Sequence, residues 1–116
     1  MIDYGKVQII QPYMNTCGGL TEAKRIVDMA QGRGALVVPG NWSTQILGAA
    51  TVQLALYSAI TPYIEFAPAE IFDSPLRQEL QELGHPVVDG AIQMPSRPGI
   101  GIEVPQGLID EYRLGD

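Results

Sequence analysis

The chain has 116 residues, of which 46% are apolar and 17% charged, and its seven basic and thirteen acidic residues give a net charge of −6 at pH 7. This composition predicts a globular chain of one domain at most, and the acidic balance argues against a nucleic-acid or membrane partner. The single cysteine, Cys17, excludes an internal disulfide, and the sequence shows no signal peptide and no long apolar run. A cytoplasmic location is therefore expected.

The N-terminal part of the chain predicts a strand, a loop and an outer helix. Val7–Ile10 is a short strand candidate, and the following segment, Gln11–Gly19, contains a proline and paired glycines that stop regular structure. Thr21 is the predicted N-cap of a helix over Glu22–Gln31, whose apolar residues recur at the spacing of one buried stripe. Glycines at 32 and 34 end this helix.

The central part predicts a strand, a long apolar helix and a second strand. Ala35–Val38 is bounded by glycine and proline, as is typical of a parallel strand buried on both faces. The helix predicted over Thr44–Ala59 has almost no polar face and must be enclosed. Tyr63–Phe66 is the third predicted strand. The alternation of strands and helices with short connections favours an α/β fold with three adjacent parallel strands and right-handed crossovers.

The C-terminal third is irregular and rich in proline. Between its prolines we predict a short helix over Leu76–Leu83, a turn at Asp89–Gly90 and a last helix over Gly107–Arg113. This part lacks the periodicity of a repeating strand–helix unit, so we expect it to wrap over another part of the molecule.

Few residues carry an obvious chemical signal. No glycine-rich phosphate loop and no metal-ligand spacing is present, so no metal site is predicted in this chain. His85 is read as a solvated loop residue and Cys17 as a buried small apolar group, each in preference to a catalytic role. Asn41 and Trp42 follow a predicted strand, and ligand contact explains them as well as capping and packing do.

Glu65 is the strongest single candidate for a functional residue. It lies near the end of a predicted strand, among apolar neighbours. Its carboxylate must either face solvent or be buried with a partner, because an unpaired buried carboxylate costs too much free energy. Both alternatives agree with the sequence.

Several short motifs resemble one known family when they are taken together. They are, in order, Ile9-Ile10-Gln11-Pro12, Gly18-Gly19-Leu20-Thr21-Glu22, Val37-Val38-Pro39, Ala49-Ala50, Tyr63-Ile64-Glu65, Asp89-Gly90 and Pro98-Gly99-Ile100-Gly101-Ile102-Glu103. In order and spacing this succession resembles the C-terminal part of the enolase superfamily, in the mandelate racemase and muconate lactonizing enzyme branch.

The resemblance implies a partial (β/α)₈ (TIM) barrel. Its sixth, seventh and eighth strands would begin near Val7, Ala35 and Tyr63. Residues 1–66 would then form this partial barrel, and residues 67–116 would form a C-terminal segment that packs on a capping domain.

The resemblance also implies an activity and a set of site residues. The complete enzyme would be an acid-sugar dehydratase or a racemase-like enzyme that removes a proton α to a carboxylate with the help of Mg²⁺. The family's metal ligands and lysine base belong to earlier strands, so no cofactor is expected for this chain alone. The family's Asp–His pair falls on Tyr13 and Gly40, with Asn41 and Trp42 adjacent. The carboxylate that hydrogen-bonds the substrate carboxylate in mandelate racemase matches Glu65.

Length limits what the isolated chain is expected to do. A complete barrel needs about 250 residues, so three strands would leave sheet edges unpaired and an apolar face uncovered. We therefore expect an inactive chain that forms a homo-oligomer. The alternative is a non-catalytic remnant or interaction module that oligomerises through its exposed strands.

Overall fold

The computed structural model describes residues 2–71 and 74–115 of the chain. Short helices and strands alternate along the first half, and the second half consists of short elements joined by irregular segments. The elements are α1 (Ile2–Gly5), β1 (Ile9–Ile10), α2 (Met14–Cys17), α3 (Gly19–Gln31), β2 (Leu36–Val37), α4 (Gln45–Tyr57), a 3₁₀ turn (Ala69–Ile71), α5 (Pro75–Gln81), β3 (Val87–Val88), β4 (Ala91–Ile92) and α6 (Gln106–Glu111).

The strands β1 and β2 pair in parallel, with Ile9 opposite Leu36 and Ile10 opposite Val37. Their pairing continues beyond the two strands through alternate N–H groups of residues 36, 38 and 40. The donors and acceptors are Leu36 N to Gln8 O (2.8 Å), Val38 N to Ile10 O (2.9 Å) and Gly40 N to Pro12 O (3.1 Å). The predicted parallel strands at Val7–Ile10 and Ala35–Val38 are thus confirmed, with shorter bounds.

The predicted third strand, Tyr63–Phe66, is wrong as a strand, although this segment does run alongside β2. Two hydrogen bonds join them in the parallel sense: Val37 N to Ile60 O (3.0 Å) and Glu65 N to Pro39 O (3.3 Å). Proline has no N–H to donate to a ladder, and prolines stand at position 39 on one side and at position 62 on the other. The regular ladder that defines a strand cannot form.

Helix α3 begins earlier than predicted because a glycine caps it. Its N-cap is Gly18, at a φ of 103°, and not Thr21; the same residue also ends α2. A residue with a side chain rarely adopts this left-handed conformation, which lets the chain turn directly from one helix into the next. The prediction of a loop throughout Gln11–Gly19 is therefore wrong at Met14–Cys17 and at Gly19. The outer character of α3 is confirmed, with a buried stripe of Ala23, Val27 and Ala30.

Helix α4 buries one side of its apolar surface and leaves the other open. Leu47, Val52 and Leu54 are buried, whereas Leu56 and Tyr57 are exposed. The expectation of an enclosed helix is thus wrong for the described residues. The buried side packs into a core shared with α3 and β2. Val27, Val37 and Leu54 are among the largest fully buried side chains in this core.

The C-terminal third docks on the start of α4. The Gln45 side-chain amide donates to Gln81 Oε1 of α5 at 2.7 Å. The strands β3 and β4 form an antiparallel hairpin, whose predicted turn at Asp89–Gly90 is confirmed by φ angles of 52° and 77°. The predicted helices at Leu76–Leu83 and Gly107–Arg113 are confirmed with shifted bounds. None of the helices in the described part of the chain is long and apolar enough to cross a bilayer.

The two faces of α4 make a direct test of this packing. Leu54 is 2% exposed and Leu56 is 54% exposed. We expect Leu54→Ala to lower the free energy of unfolding by about 2–5 kcal/mol, because it leaves a cavity in the core. The matched change Leu56→Ala should cost at least about 1.5 kcal/mol less, as is usual at the surface. Urea denaturation at one protein concentration measures both, and equal losses would contradict the packing described.

Candidate functional site

Four of the five residues singled out in the sequence meet at the carboxyl ends of three parallel segments. Tyr13 follows the last ladder partner of the first segment, Gly40 and Asn41 follow β2, and Glu65 lies in the segment that runs beside β2. Because parallel segments end at the same edge, the ladder brings together residues that are far apart in sequence. This cluster of Tyr13, Gly40, Asn41 and Glu65 is called the edge site below.

The Glu65 carboxylate accepts two hydrogen bonds in the edge site, both on the same oxygen. The backbone N–H of Asn41 donates to Glu65 Oε2 at 3.2 Å, and the Tyr13 hydroxyl donates to Oε2 over a longer 3.5 Å. Both bonds are half-buried. The sequence left two alternatives open, and the structure combines them. Glu65 is partly exposed, and its carboxylate also has hydrogen-bond partners.

Gly40 is required by the position of the Tyr13 ring. A Cβ atom added at Gly40 would lie 1.9 Å from Tyr13 Cε2, far inside van der Waals contact. The φ of Gly40 lies outside the left-handed region, so the reason for glycine here is space and not backbone conformation. The aromatic ring therefore passes directly over the end of β2.

The surroundings of the Tyr13 phenol hold it in its neutral form. Burial of the hydroxyl raises its pKa above the usual 10.0, and the negative charge of Glu65 raises it further. The backbone of Trp42 acts in the opposite direction and lowers this pKa. At neutral pH the phenol is thus protonated and can donate to Glu65.

The Asn41 side chain faces α4, whereas its backbone faces Glu65. Asn41 is 6% exposed, and a Cβ added at Gly48 of α4 would lie 3.1 Å from its Nδ2. Trp42 is 44% exposed, and its carbonyl accepts a hydrogen bond from Arg77 Nη2 at 2.9 Å. Neither Asn41 nor Trp42 caps α4. The N-cap of this helix is Thr44, which makes no side-chain cap hydrogen bond.

One polar residue behind the edge site was missed in the sequence. Gln45, the first residue of α4, is buried and lines a small cavity together with Asn41 and His85. A glutamine at the start of an otherwise apolar helix was the available signal. His85 is half-buried in a loop, with Nε2 3.2 Å from Ile100 O, so the prediction of a solvated loop histidine is only partly met.

Cys17 lies apart from these residues. It is half-buried, and its Sγ lies 3.9 Å from Gly19 O. The expectation of a fully buried small group is therefore only partly met.

The edge site has a single carboxylate, which is too few for a metal centre. Across residues 2–71 and 74–115 no group of three His, Cys, Asp or Glu side chains is arranged to hold a metal ion. Mg²⁺ is normally held by several oxygen ligands, so the described residues do not fit a magnesium site.

Comparison with known proteins decides the family. The family model described as enolase C-terminal domain-like matches residues 1–108. The chain belongs to this family. The resemblance to the C-terminal part of an enolase-superfamily enzyme is thereby confirmed.

The curated relatives of this enolase-superfamily chain are much longer proteins. It is 31% identical over 120 residues to D-galactarolactone cycloisomerase from Agrobacterium fabrum, covering 97% of this chain and 31% of the relative. It is 32% identical over 108 residues to L-rhamnonate dehydratase from Saccharopolyspora erythraea, covering 90% of this chain and 26% of the relative. The chain thus spans less than a third of these relatives.

Solved structures agree with this assignment. The fold is similar to that of a putative racemase, with a TM-score of 0.79 and 35% identity over 96% of this chain and 29% of the other. A mandelate racemase/muconate lactonizing enzyme from Sulfitobacter sp. gives a TM-score of 0.78 with 28% identity over 96% of this chain and 27% of the other.

A more distant structure is similar in fold alone. An enolase from Pseudomonas fluorescens with bound magnesium, potassium and tartrate has a TM-score of 0.71 and 18% identity, over 95% of this chain and 26% of the other. The α/β fold with parallel strands is therefore shared with members of the superfamily.

The contact between Gly40 and Tyr13 predicts a steric coupling that a double-mutant cycle can measure. We expect Gly40→Ala to destabilise the chain by about 1–3 kcal/mol because the new methyl group displaces the ring. Gly107→Ala is the matched control, since nothing lies within 4 Å of a Cβ there and alanine favours its helix.

In a Tyr13→Ala background the ring is absent, and Gly40→Ala should cost less by about 0.5–3 kcal/mol. Thermal or urea unfolding of the four variants gives this coupling. A cost for Gly40→Ala that is independent of residue 13 would show that the ring does not occupy this space.

Proposed function

We propose that this chain is the C-terminal portion of an acid-sugar dehydratase or a racemase-like enzyme, and that it is inactive as an isolated chain. The reaction is removal of a proton α to a carboxylate. The relatives with curated functions include acid-sugar dehydratases and a cycloisomerase, which supports this reaction class. The single observation that carries the proposal is the placement of Glu65, with its donors, at the carboxyl ends of parallel segments, where barrel enzymes bind substrates.

In this proposal Glu65 contacts the substrate. Its Oε2 is occupied by Asn41 N–H and the Tyr13 hydroxyl, and none of the hydrogen bonds within the described residues involves Oε1. Oε1 then accepts a hydrogen bond from a substrate hydroxyl or from a protonated substrate carboxyl group. In the second case the carboxyl groups of Glu65 and the substrate share one proton, because two like charges in close contact are unfavourable. Gly40 leaves room for this arrangement, and Trp42 lies at its exposed rim.

Mg²⁺ belongs to the complete enzyme in this proposal and not to this chain alone. Magnesium and tartrate are bound in the distant structural relative from Pseudomonas fluorescens. When bound, the ion stabilises the negative charge that develops on the substrate carboxylate. The described residues of this chain do not form a cluster for it, so its ligands would come from other parts of the enzyme. The substrate is accordingly a small carboxylate or acid sugar. We place the enzyme in the cytoplasm.

The division of the chain follows from the same proposal. Residues 1–66 would contribute the last strands of a (β/α)₈ barrel, and residues 67–116 would pack on a capping domain. The hydrogen bond of Gln81 with Gln45 shows that the C-terminal segment also packs on the first part of the chain.

The purified 116-residue chain should show no turnover of D-galactarolactone, L-rhamnonate or arabinonate in the presence of Mg²⁺. The reason is that the described residues offer neither a metal cluster nor a lysine base in the edge site. Product formation is followed by chromatography, and the L-rhamnonate dehydratase named above serves as the positive control. Turnover by the chain that a chelator abolishes would refute its proposed inactivity.

A second function is favoured by the exposed apolar surface. Among the residues that the structure describes, strand β1 pairs on one side only and is thus an edge strand. A groove of about 530 Å³ lies between α4, the 61–66 segment and the β3–β4 hairpin, with a mainly apolar lining. Monomers rarely leave large contiguous apolar surface exposed, so this face favours a non-catalytic module that associates with a second copy of itself.

Sedimentation equilibrium at micromolar concentration tests this association. We expect a mass above the 12.6 kDa of one chain. Val87→Glu, which puts a charge into the groove, should shift the chain toward the monomer. Met94→Glu is the matched control, because Met94 is exposed but outside the groove lining. A monomeric wild type would contradict the homo-oligomer.

A further inference from the structure

We propose that Tyr13 is a positioning residue that fixes the Glu65 carboxylate through its hydroxyl and so leaves one carboxylate oxygen available to the substrate. The inference rests on the proposed role of Glu65 as a substrate contact and extends it to a second residue. It gives Tyr13 a different role from direct substrate binding. The hydroxyl acts through Glu65.

The direction of the hydrogen bonds supports this role. The phenol hydroxyl donates its proton to Glu65 Oε2 over 3.5 Å. A hydroxyl has one proton to donate, so donation to Glu65 uses it fully. The Asn41 N–H donates to the same Oε2. One oxygen of Glu65 is thus held by a side chain and by the backbone, whereas Oε1 takes part in none of the hydrogen bonds between described residues.

The position of the phenol is set by the fold and not by a flexible side chain. Tyr13 follows Pro12, whose carbonyl accepts the N–H of Gly40 at 3.1 Å. The ring crosses directly over Gly40, where any Cβ would clash with it. A rigid ring held against the backbone in this way restrains the longer and more flexible glutamate, which is how supporting residues hold a functional group in a productive geometry.

Hydrogen exchange in the 116-residue chain tests the positioning directly. In Tyr13→Phe the ring and its contact with Gly40 remain, and only the hydroxyl is lost. We expect the Asn41 amide proton to exchange about two- to tenfold faster, as for the weakening of one hydrogen bond, because Glu65 is no longer held against it. The Gly40 amide, which donates to Pro12 O, is the internal control and should not change.

Two results of this experiment would overturn the proposal. If Asn41 exchange is unchanged, the hydroxyl does not hold Glu65. If exchange at Gly40 accelerates as much as at Asn41, the hydroxyl serves general stability and not the position of one carboxylate.

A second measurement tests the contact from the side of Glu65. NMR titration of tyrosine labelled at ¹³Cζ reports the pKa of each phenol, with circular dichroism used to restrict the data to folded protein. Glu65→Gln removes the negative charge that raises the pKa of Tyr13, so this pKa should fall toward 10.0. Tyr112, whose pKa is raised to about 12 chiefly by its hydrogen bond to Glu79, should not change. An unchanged pKa of Tyr13 would also overturn the proposal.

Both measurements are independent of any substrate. They therefore test Tyr13 separately from the proposed enzyme function, which stands or falls on substrate turnover in a complete enzyme. A fall in the pKa of Tyr13 together with selective exchange at Asn41 would establish the positioning even if the substrate class were different.

Discussion

The alternation of backbone groups along residues 36–40 is the constraint on which the rest of this structure depends. The N–H groups of Leu36, Val38 and Gly40 point to the first segment, whereas the N–H of Val37 and the carbonyl of Pro39 point to the 60–65 segment. This alternation is a property of any extended chain. It places one segment on each side of β2, and it is the reason that Tyr13 and Glu65 reach the end of β2 from opposite sides.

The two sides of β2 are held with unequal strength. Backbone N–H groups of residues 36, 38 and 40 all donate to the first segment, but prolines at 39 and 62 remove donors on the other side. Glu65 compensates in part, because its N–H donates to Pro39 O and its carboxylate accepts from the Asn41 N–H. Each bond of this kind contributes about 1 kcal/mol. The residue that we propose to contact substrate thus also ties the third segment to the sheet.

The exposed surfaces agree with a chain that belongs to a larger enzyme family and spans less than a third of its curated relatives. An edge strand, an uncovered side of α4 and an apolar groove all lie on faces that β-sheet and barrel proteins normally cover. In the two proposed functions these faces are covered by further polypeptide, from the rest of the enzyme in one and from a second copy in the other. Both proposed functions therefore depend on covering the same exposed apolar surface.

The sequence by itself determined the features that depend on neighbouring residues. The apolar spacing of Ala23, Val27 and Ala30 predicted the buried stripe of α3, and Asp89–Gly90 predicted the hairpin turn, because periodicity and turn geometry are local properties. The short motifs also identified the family and selected Glu65. The sequence contains prolines at 39 and 62. Their joint effect, the loss of the ladder that would have made Tyr63–Phe66 a strand, depends on the pairing of two segments that are not adjacent in sequence.

Only the tertiary structure decided the contacts of the edge site. Tyr13 and Glu65 are 52 positions apart, and Asn41 and Glu65 are 24 apart, so no local pattern records that they meet. The need for glycine at position 40 is likewise invisible in sequence, because it arises from an aromatic ring that reaches it across the sheet. Secondary structure follows from local sequence, whereas the partner of a carboxylate follows from the register of strands that lie far apart in the chain.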